Sequence, residues 1–121
     1  MAQHNELGKK GEEIALQFLR KNEYRILETN WRFGQQEIDI IAEKGEELII
    51  VEVKTRSSNY YQAPWEAISK QKQRFLINAA EAYIQKNDVD LETRFDVISI
   101  VIVNGKTELE HIERAFYPTL R

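Results

Sequence analysis

The chain has 121 residues, of which 42% are hydrophobic and 31% are charged, so we expect a single domain over residues 1–121 with one ordinary core. The absence of cysteine excludes a disulfide framework and a thiolate metal site. Seventeen Lys and Arg against twenty Asp and Glu give a net charge of −3, so any nucleic-acid contact requires a local basic patch or metal ions that neutralise carboxylates. No segment has the length and apolar character of a membrane span or of a signal-peptide core, and we expect a cytoplasmic protein without membrane contact.

The first predicted element is a helix over residues 9–21, and its apolar face carries one glycine. Gly11 lies in the middle of that face, where it permits close approach of another backbone. Glu12 lies at the edge of the same face, whereas Glu13 points to the opposite side. Three strands are then predicted, over residues 24–33, 37–43 and 48–56.

The remaining elements complete a mixed α/β pattern. Four consecutive apolar residues, Leu48 to Val51, predict that the third strand is central and buried on both faces. A long helix is predicted from Pro64 to about residue 86, and a buried strand over residues 94–103. Asn104 and Gly105 favour a hairpin turn into a last strand over about residues 107–112. The order α-β-β-β-α-β-β predicts an α/β fold, with a mixed five-stranded sheet flanked by helices.

Two charged residues stand out in the central strand. Glu52 and Lys54 share a face with Leu48 and Ile50, because side chains alternate along a strand. Burial of either charge alone would cost several kcal/mol, so a compensating group is expected nearby.

A register argument supplies that group. If Gly45 and Glu46 form a two-residue hairpin loop, Asp39 falls opposite Glu52 on the same face. Two facing carboxylates repel each other unless a proton or a cation lies between them, and oxygen ligands suit Mg²⁺ or Mn²⁺. Lys54 can then orient an attacking water or stabilise charge on a phosphate, which favours phosphodiester hydrolysis. A structural Asp–Lys–Glu ion network is the alternative, because Glu-x-Lys on a strand is common at solvated edges.

The sequence also resembles a known superfamily. The spacing of Glu-Ile-Asp-Ile-Ile-Ala and Val-Glu-Val-Lys-Thr-Arg resembles the PD-(D/E)xK nucleases, and the whole chain resembles the YraN family of small bacterial proteins. The matching segments are residues 8–12, 36–39, 52–56, 72–73 and 94–97. One departure is Gln36, where the family pattern usually has glycine; it is expected to alter the bend entering the second strand and to leave the ligands unchanged.

The resemblance implies a restriction-endonuclease-like fold, similar to that of archaeal Holliday-junction resolvases. It implies that Asp39 and Glu52 are metal ligands, that Glu12 completes the site, and that Lys54 is the catalytic lysine. The cofactor would be Mg²⁺ or Mn²⁺ and the substrate DNA, with branched or structured DNA as a candidate. A homodimer is expected by analogy if the active unit must span two strands of a junction.

Two further basic residues are candidates for substrate binding. Lys72 lies on the apolar face of the long helix, where it either extends its ammonium to water or serves the carboxylates or a phosphate. Arg56 continues the face of Glu52 and Lys54 and can contact a phosphate. Weaker candidates are Arg32, Lys70 and Arg74. For Arg56 and these three residues the favoured alternative is an ordinary solvated charge.

The other polar and aromatic residues are expected to be structural. Asp96 opens a buried strand, and both histidines, His4 and His111, are expected at the surface. The aromatic residues expected to pack rather than to stack on bases are Trp31, Tyr60, Tyr61 and Trp65. Two alternatives to a nuclease stay open: a module that binds nucleic-acid structure without cutting, and an interaction domain whose charges form only ion pairs.

Overall fold

Two helices and five strands make up residues 6–57 and 68–118, the part of the chain that the computed structural model describes. The elements are α1 Glu6–Lys21, β1 Arg25–Phe33, β2 Gln36–Lys44, β3 Glu47–Arg56, α2 Lys70–Asn87, β4 Glu92–Val103 and β5 Lys106–Phe116. This is the predicted order α-β-β-β-α-β-β. Neither of the two helices is long and apolar enough to cross a membrane.

The five strands form one mixed sheet in the spatial order β1-β2-β3-β4-β5. β3 and β4 run parallel, with α2 between them in the chain, and the other neighbouring strands are antiparallel. β3 is central as predicted, and its residues Leu48 to Val51 are at most 1% exposed.

The turns that join the antiparallel strands fix the register. Lys44 pairs with Glu47, so Gly45 and Glu46 form the predicted two-residue loop, and Gly45 has a φ of 60°. At the other hairpin, Asn104 and Gly105 both have positive φ, as a type I′ turn requires.

The helices cover opposite faces of the sheet. α1 buries Ala15 and Leu19 against one face, and α2 buries Leu76 and Ala79 against the other. The backbone of α1 approaches β3 closely at Gly11, where an added Cβ would lie 1.9 Å from Thr55 Oγ1. Gly11 therefore permits the close contact that its place on the apolar face predicted.

α2 begins later than the sequence predicted. Ile68 and Ser69 are not helical, and the helix starts at Lys70 rather than at Pro64, which lies outside the described residues. Ser69 has extended backbone angles, and its Oγ accepts a hydrogen bond from Lys72 N at 3.0 Å. Serine is a favoured N-cap because it satisfies one of the free amides of the first turn, and this local preference sets the start of the helix.

A buried polar cluster ties the edge strand β5 to the sheet. Asp96 accepts hydrogen bonds from the Arg94 side chain and from the backbone N of Arg114, and His111 Nε2 lies 2.7 Å from its Oδ2. Burial alone raises the pKa of Asp96, but the hydrogen bonds from His111 and Arg94 outweigh it and lower that pKa. The surface position expected for His111 is wrong: its side chain is 9% exposed, because it packs edge-on against Phe18 and pairs with Asp96. His4 lies outside the described residues.

Candidate active site

Asp39 and Glu52 lie where the pairing of β2 and β3 ends. The ladder runs from Lys44↔Glu47 to Ile40↔Val51, and the next pair in that register would be Asp39 and Glu52. There the Asp39 carboxylate Oδ2 accepts a hydrogen bond of 2.8 Å from Val53 N. The two carboxyl groups interact electrostatically, and the charge of Asp39 raises the pKa of Glu52. The structure thus brings together the two acidic residues that the register argument paired.

A local kink in β2 places Asp39 at this point. Ile38 packs with the core beneath α2, whereas Ile40 packs with the core beneath α1, although residues two apart on a regular strand share a face. On β1, Asn30 has a φ of 51° and is skipped between the pairs Thr29↔Ile40 and Trp31↔Ile38. The regular alternation is therefore broken at Asp39, whose side chain bonds to β3.

The charges of the pair are only partly compensated by their surroundings. Glu52 is 5% exposed, and its Oε1 is buried without a hydrogen-bond partner among the described residues. Burial and the charge of Asp39 raise the pKa of Glu52 to about 8. Burial also raises the pKa of Asp39, against the hydrogen bond from Val53 N, which lowers it. At neutral pH the pair therefore retains a proton unless a cation takes its place.

Two lysines stand beside the carboxylates. Lys72 extends from α2 to place its Nζ 3.8 Å from Glu52 Oε2, and the Lys72 side chain is 27% exposed. Of the two interpretations of Lys72, the structure therefore favours the one at the carboxylate cluster. Lys54 follows Glu52 on β3, and its charge, like that of Lys72, lowers the pKa of Glu52 without outweighing burial.

Glu12 reaches a neighbouring group of side chains. Asn30 Nδ2 donates to Glu12 Oε1 and Oε2 at 3.2 and 3.3 Å, and the same nitrogen lies 3.4 Å from Glu37 Oε2. Glu37 is 8% exposed, and its charge raises the pKa of Asp39. Sequence reasoning did not single out Asn30 or Glu37, although Glu37 lies two residues before Asp39 in the Glu-Ile-Asp motif.

The described residues assemble a carboxylate pair rather than a complete set of protein ligands. Within residues 6–57 and 68–118, no three His, Cys, Asp or Glu side chains are grouped so that they could hold a metal ion. The role of Glu12 as a third ligand therefore stays a prediction. Arg56 is half-buried at the end of β3, and its phosphate contact also stays a prediction.

The donor set of the pair fits a hard divalent cation. Both side chains offer oxygen only, and the unpartnered Glu52 Oε1 leaves one buried acceptor for a cation. Mg²⁺ commonly binds through one or two carboxylates and keeps several of its waters, so a complete cage of protein ligands is not required. The residues present therefore fit Mg²⁺ or Mn²⁺ through Asp39 and Glu52.

Fold and site together define an α/β domain with a buried carboxylate pair and two lysines where two strands diverge. The chain belongs to the uncharacterised protein family UPF0102, whose profile matches residues 11–100; this is the YraN family that the sequence resembles. A UPF0102 protein of Flavobacterium psychrophilum is 49% identical over 117 residues, covering 97% of this chain and 98% of its own. One of Bacteroides thetaiotaomicron is 46% identical over 120 residues, covering 99% of both chains. One of Porphyromonas gingivalis is 45% identical over 118 residues, covering 96% of this chain and 87% of its own. These names state no activity.

Proposed function

We propose that this protein is a Mg²⁺- or Mn²⁺-dependent nuclease that hydrolyses phosphodiester bonds of DNA, with branched or structured DNA as the candidate substrate. The observation that carries the proposal is the pair of Asp39 and Glu52. The raised pKa of Glu52, and its buried oxygen without a hydrogen-bond partner among the described residues, support a site for a cation. The resemblance to PD-(D/E)xK nucleases supports the same assignment.

Each residue of the site has a place in this chemistry. Asp39 and Glu52 would hold the ion, with Glu12 as a further ligand; when bound, the ion would supply Lewis-acid activation of a water and of the phosphate. Lys54 would orient the attacking water or stabilise the charge that develops on the phosphate. Lys72 and Arg56 would hold phosphate oxygens.

The acidic balance of the chain is compatible with this proposal because the positive charge is needed only locally. Lys54 and Lys72 both act on Glu52, and Arg56 lies on the same strand. A divalent ion at the carboxylates would add positive charge and so favour the binding of a phosphate. The net charge of −3 is therefore an argument against tight binding along a long duplex rather than against a compact site.

One observation favours a second candidate, a module that binds nucleic-acid structure without cutting it. Lys72 already lies 3.8 Å from Glu52, so a lysine partly compensates the carboxylate without a metal ion. In that case the fold would present the same surface to nucleic acid, but Glu52 would have no ion to hold.

The test compares the wild type with Glu52→Gln on labelled duplex, flap and four-way-junction DNA, in Mg²⁺, in Mn²⁺ and in EDTA. Glu46→Gln is the matched control, because Glu46 is exposed in the turn of the same hairpin. We expect metal-dependent cleavage by the wild type and by the control, and none by Glu52→Gln. Equal cleavage by Glu52→Gln, or no cleavage by any form, would refute the nuclease. Binding in Ca²⁺ without product in Mg²⁺ would instead support the binding module.

A further inference from the structure

Three aromatic side chains, Trp31, Phe33 and Phe75, form a continuous group, here called the aromatic surface. The rings of Trp31 and Phe33 are nearly parallel, with an angle of 6° and centroids 6.4 Å apart. The Phe33 and Phe75 centroids are 6.2 Å apart. Phe33 is 38% exposed, and among the described residues only Tyr117 is also a large hydrophobic side chain exposed to that extent.

The aromatic surface adjoins the candidate active site. Lys72 Nζ lies 5.3 Å from the centroid of the Phe75 ring and 3.8 Å from Glu52 Oε2. An unbroken series of contacts therefore leads from the exposed Phe33 ring through Phe75 and Lys72 to the buried carboxylate. A group bound on Phe33 would be separated from Lys72 by a single ring, that of Phe75.

Trp31 and Phe75 are held by the core beneath α2, and Phe33 stacks on Trp31 with 38% of its surface exposed. Trp31 meets Tyr83 of α2 in an edge-to-face contact, with centroids 5.2 Å apart, and both belong to the core beneath α2. Rings fixed in this way lose little conformational entropy when a flat group stacks on them.

The cation that lies beside these rings is Lys72, whose Nζ is 5.3 Å from the centroid of the Phe75 ring. Arg32 precedes Phe33 but points to the opposite face of β1, where its Nη1 lies 3.9 Å from Glu37. Arg74 precedes Phe75, and Arg74 and Lys70 are exposed on α2. Exposed aromatic rings with adjacent cations are the combination that single-stranded nucleic acid uses, with rings for the bases and cations for the phosphates.

We propose that the aromatic surface stacks an unpaired nucleobase, so that the substrate is DNA with an unpaired nucleotide beside the scissile phosphate. The inference rests on the proposed function for the chemistry of the neighbouring site. In a perfect duplex both faces of a base are covered by its neighbours, whereas an unpaired base offers a free face to Phe33. Stacking on an aromatic side chain changes affinity by about 5- to 100-fold per base.

The experiment measures binding in Ca²⁺ to a duplex with a short single-stranded overhang that carries 2-aminopurine, and to the blunt duplex. The variants are Phe33→Ala, Phe33→Leu, which keeps apolar bulk without a π face, and Phe33→Trp; Tyr117→Ala is the matched control. We expect Phe33→Ala and Phe33→Leu to lose about 5- to 100-fold in affinity for the overhang DNA only. Phe33→Trp should retain both the binding and the quenching of 2-aminopurine, and Tyr117→Ala should behave like the wild type.

Unchanged binding by Phe33→Leu, or an equal loss on blunt duplex, would overturn the proposal. A surface that serves a protein partner would give the first of these results, and a general disturbance of the fold would give the second. Because the assay reads binding, its outcome is separate from that of the nuclease assay. Overhang binding that depends on Phe33 without any cleavage would overturn the proposed nuclease and support the stacking site.

Discussion

The buried carboxylate pair should make the stability of the protein depend on pH, and Glu52→Gln should remove most of that dependence. Burial and the charge of Asp39 raise the pKa of Glu52 from 4.5 to about 8 in the folded chain. At pH values between these two pKa values, Glu52 of the folded chain keeps a proton that the unfolded chain has released. The free energy of unfolding is therefore highest below the unfolded pKa and falls as the pH rises towards the folded pKa.

The size of the effect follows from proton linkage. One proton retained by the folded chain lowers the free energy of unfolding by about 1.4 kcal/mol for each pH unit in this window. Across the whole window the loss approaches an upper limit on the order of 5 kcal/mol, a large part of the roughly 5–15 kcal/mol that stabilises a domain. Glutamine keeps the shape of Glu52 and stays neutral, so the free energy of unfolding of the variant lacks this dependence on pH.

The assay is urea unfolding of the wild type, Glu52→Gln and the exposed control Glu46→Gln in EDTA, at two values near pH 5.5 and 7.5. From the lower to the higher pH, the free energy of unfolding of Glu52→Gln should rise by about 2–3 kcal/mol relative to that of the wild type. The free energy of unfolding of the control should change with pH as that of the wild type does. Mn²⁺ at about a hundred times its Kd should add about 2.7 kcal/mol to the wild type at the higher pH and much less to Glu52→Gln. Parallel pH profiles of the wild type and Glu52→Gln would refute the reasoning.

Three further substitutions test the packing and the charges around the site. Gly11→Ala places a methyl group 1.9 Å from Thr55 Oγ1, so thermal unfolding should show a loss of about 1–3 kcal/mol, partly recovered by adding Thr55→Ala. Asp96→Ala leaves a buried arginine without its main carboxylate and should cost about 3–5 kcal/mol in urea unfolding. Lys72→Met removes the lysine beside Glu52, so calorimetry should show Mn²⁺ binding tightened about five-fold while DNA binding weakens.

Matched variants keep these three tests specific. Glu13→Ala changes an exposed position of α1, and Glu113→Ala an exposed carboxylate near Asp96; both should stay within about 0.5 kcal/mol of the wild type. Lys70→Met changes an exposed lysine of α2 and should leave Mn²⁺ affinity unchanged. Mn²⁺ affinity equally altered by Lys70→Met and Lys72→Met would mean that net charge, rather than the contact with Glu52, is responsible.

The carboxylate pair could be predicted from the sequence because its geometry depends on local rules. A two-residue turn fixes the register of β2 and β3, and that register, continued one residue beyond the last pair Ile40↔Val51, brings Asp39 to Glu52. The burial of the centre of β3 could also be predicted from the sequence, because four consecutive apolar residues leave a strand without a polar face.

The parts that the sequence could not predict depend on contacts between distant elements. Whether Lys72 reaches water or Glu52 depends on how α2 lies across the sheet, which helical periodicity does not specify. The side chain of Asn30 hydrogen-bonds to both Glu12 and Glu37. Asn30 lies opposite the kink in β2 and has a left-handed backbone conformation, which no turn motif in the sequence predicts. His111 is buried only because β5 brings it to Asp96.

Two of the buried carboxylates, those of Asp96 and Glu52, provide an internal comparison for the alternative of a purely structural ion network. Asp96 has both oxygens engaged by hydrogen bonds, and the net effect of its surroundings is to lower its pKa, as expected of a carboxylate that stabilises the fold. Glu52 has one buried oxygen without a hydrogen-bond partner in residues 6–57 and 68–118, and its pKa is raised. An unsatisfied buried acceptor costs about 1–3 kcal/mol, so a network that served only stability would be expected to satisfy it as the one around Asp96 does. The contrast favours the proposed cation-binding role for Glu52, in which binding of the ion would relieve the cost in stability that the metal-free pair imposes.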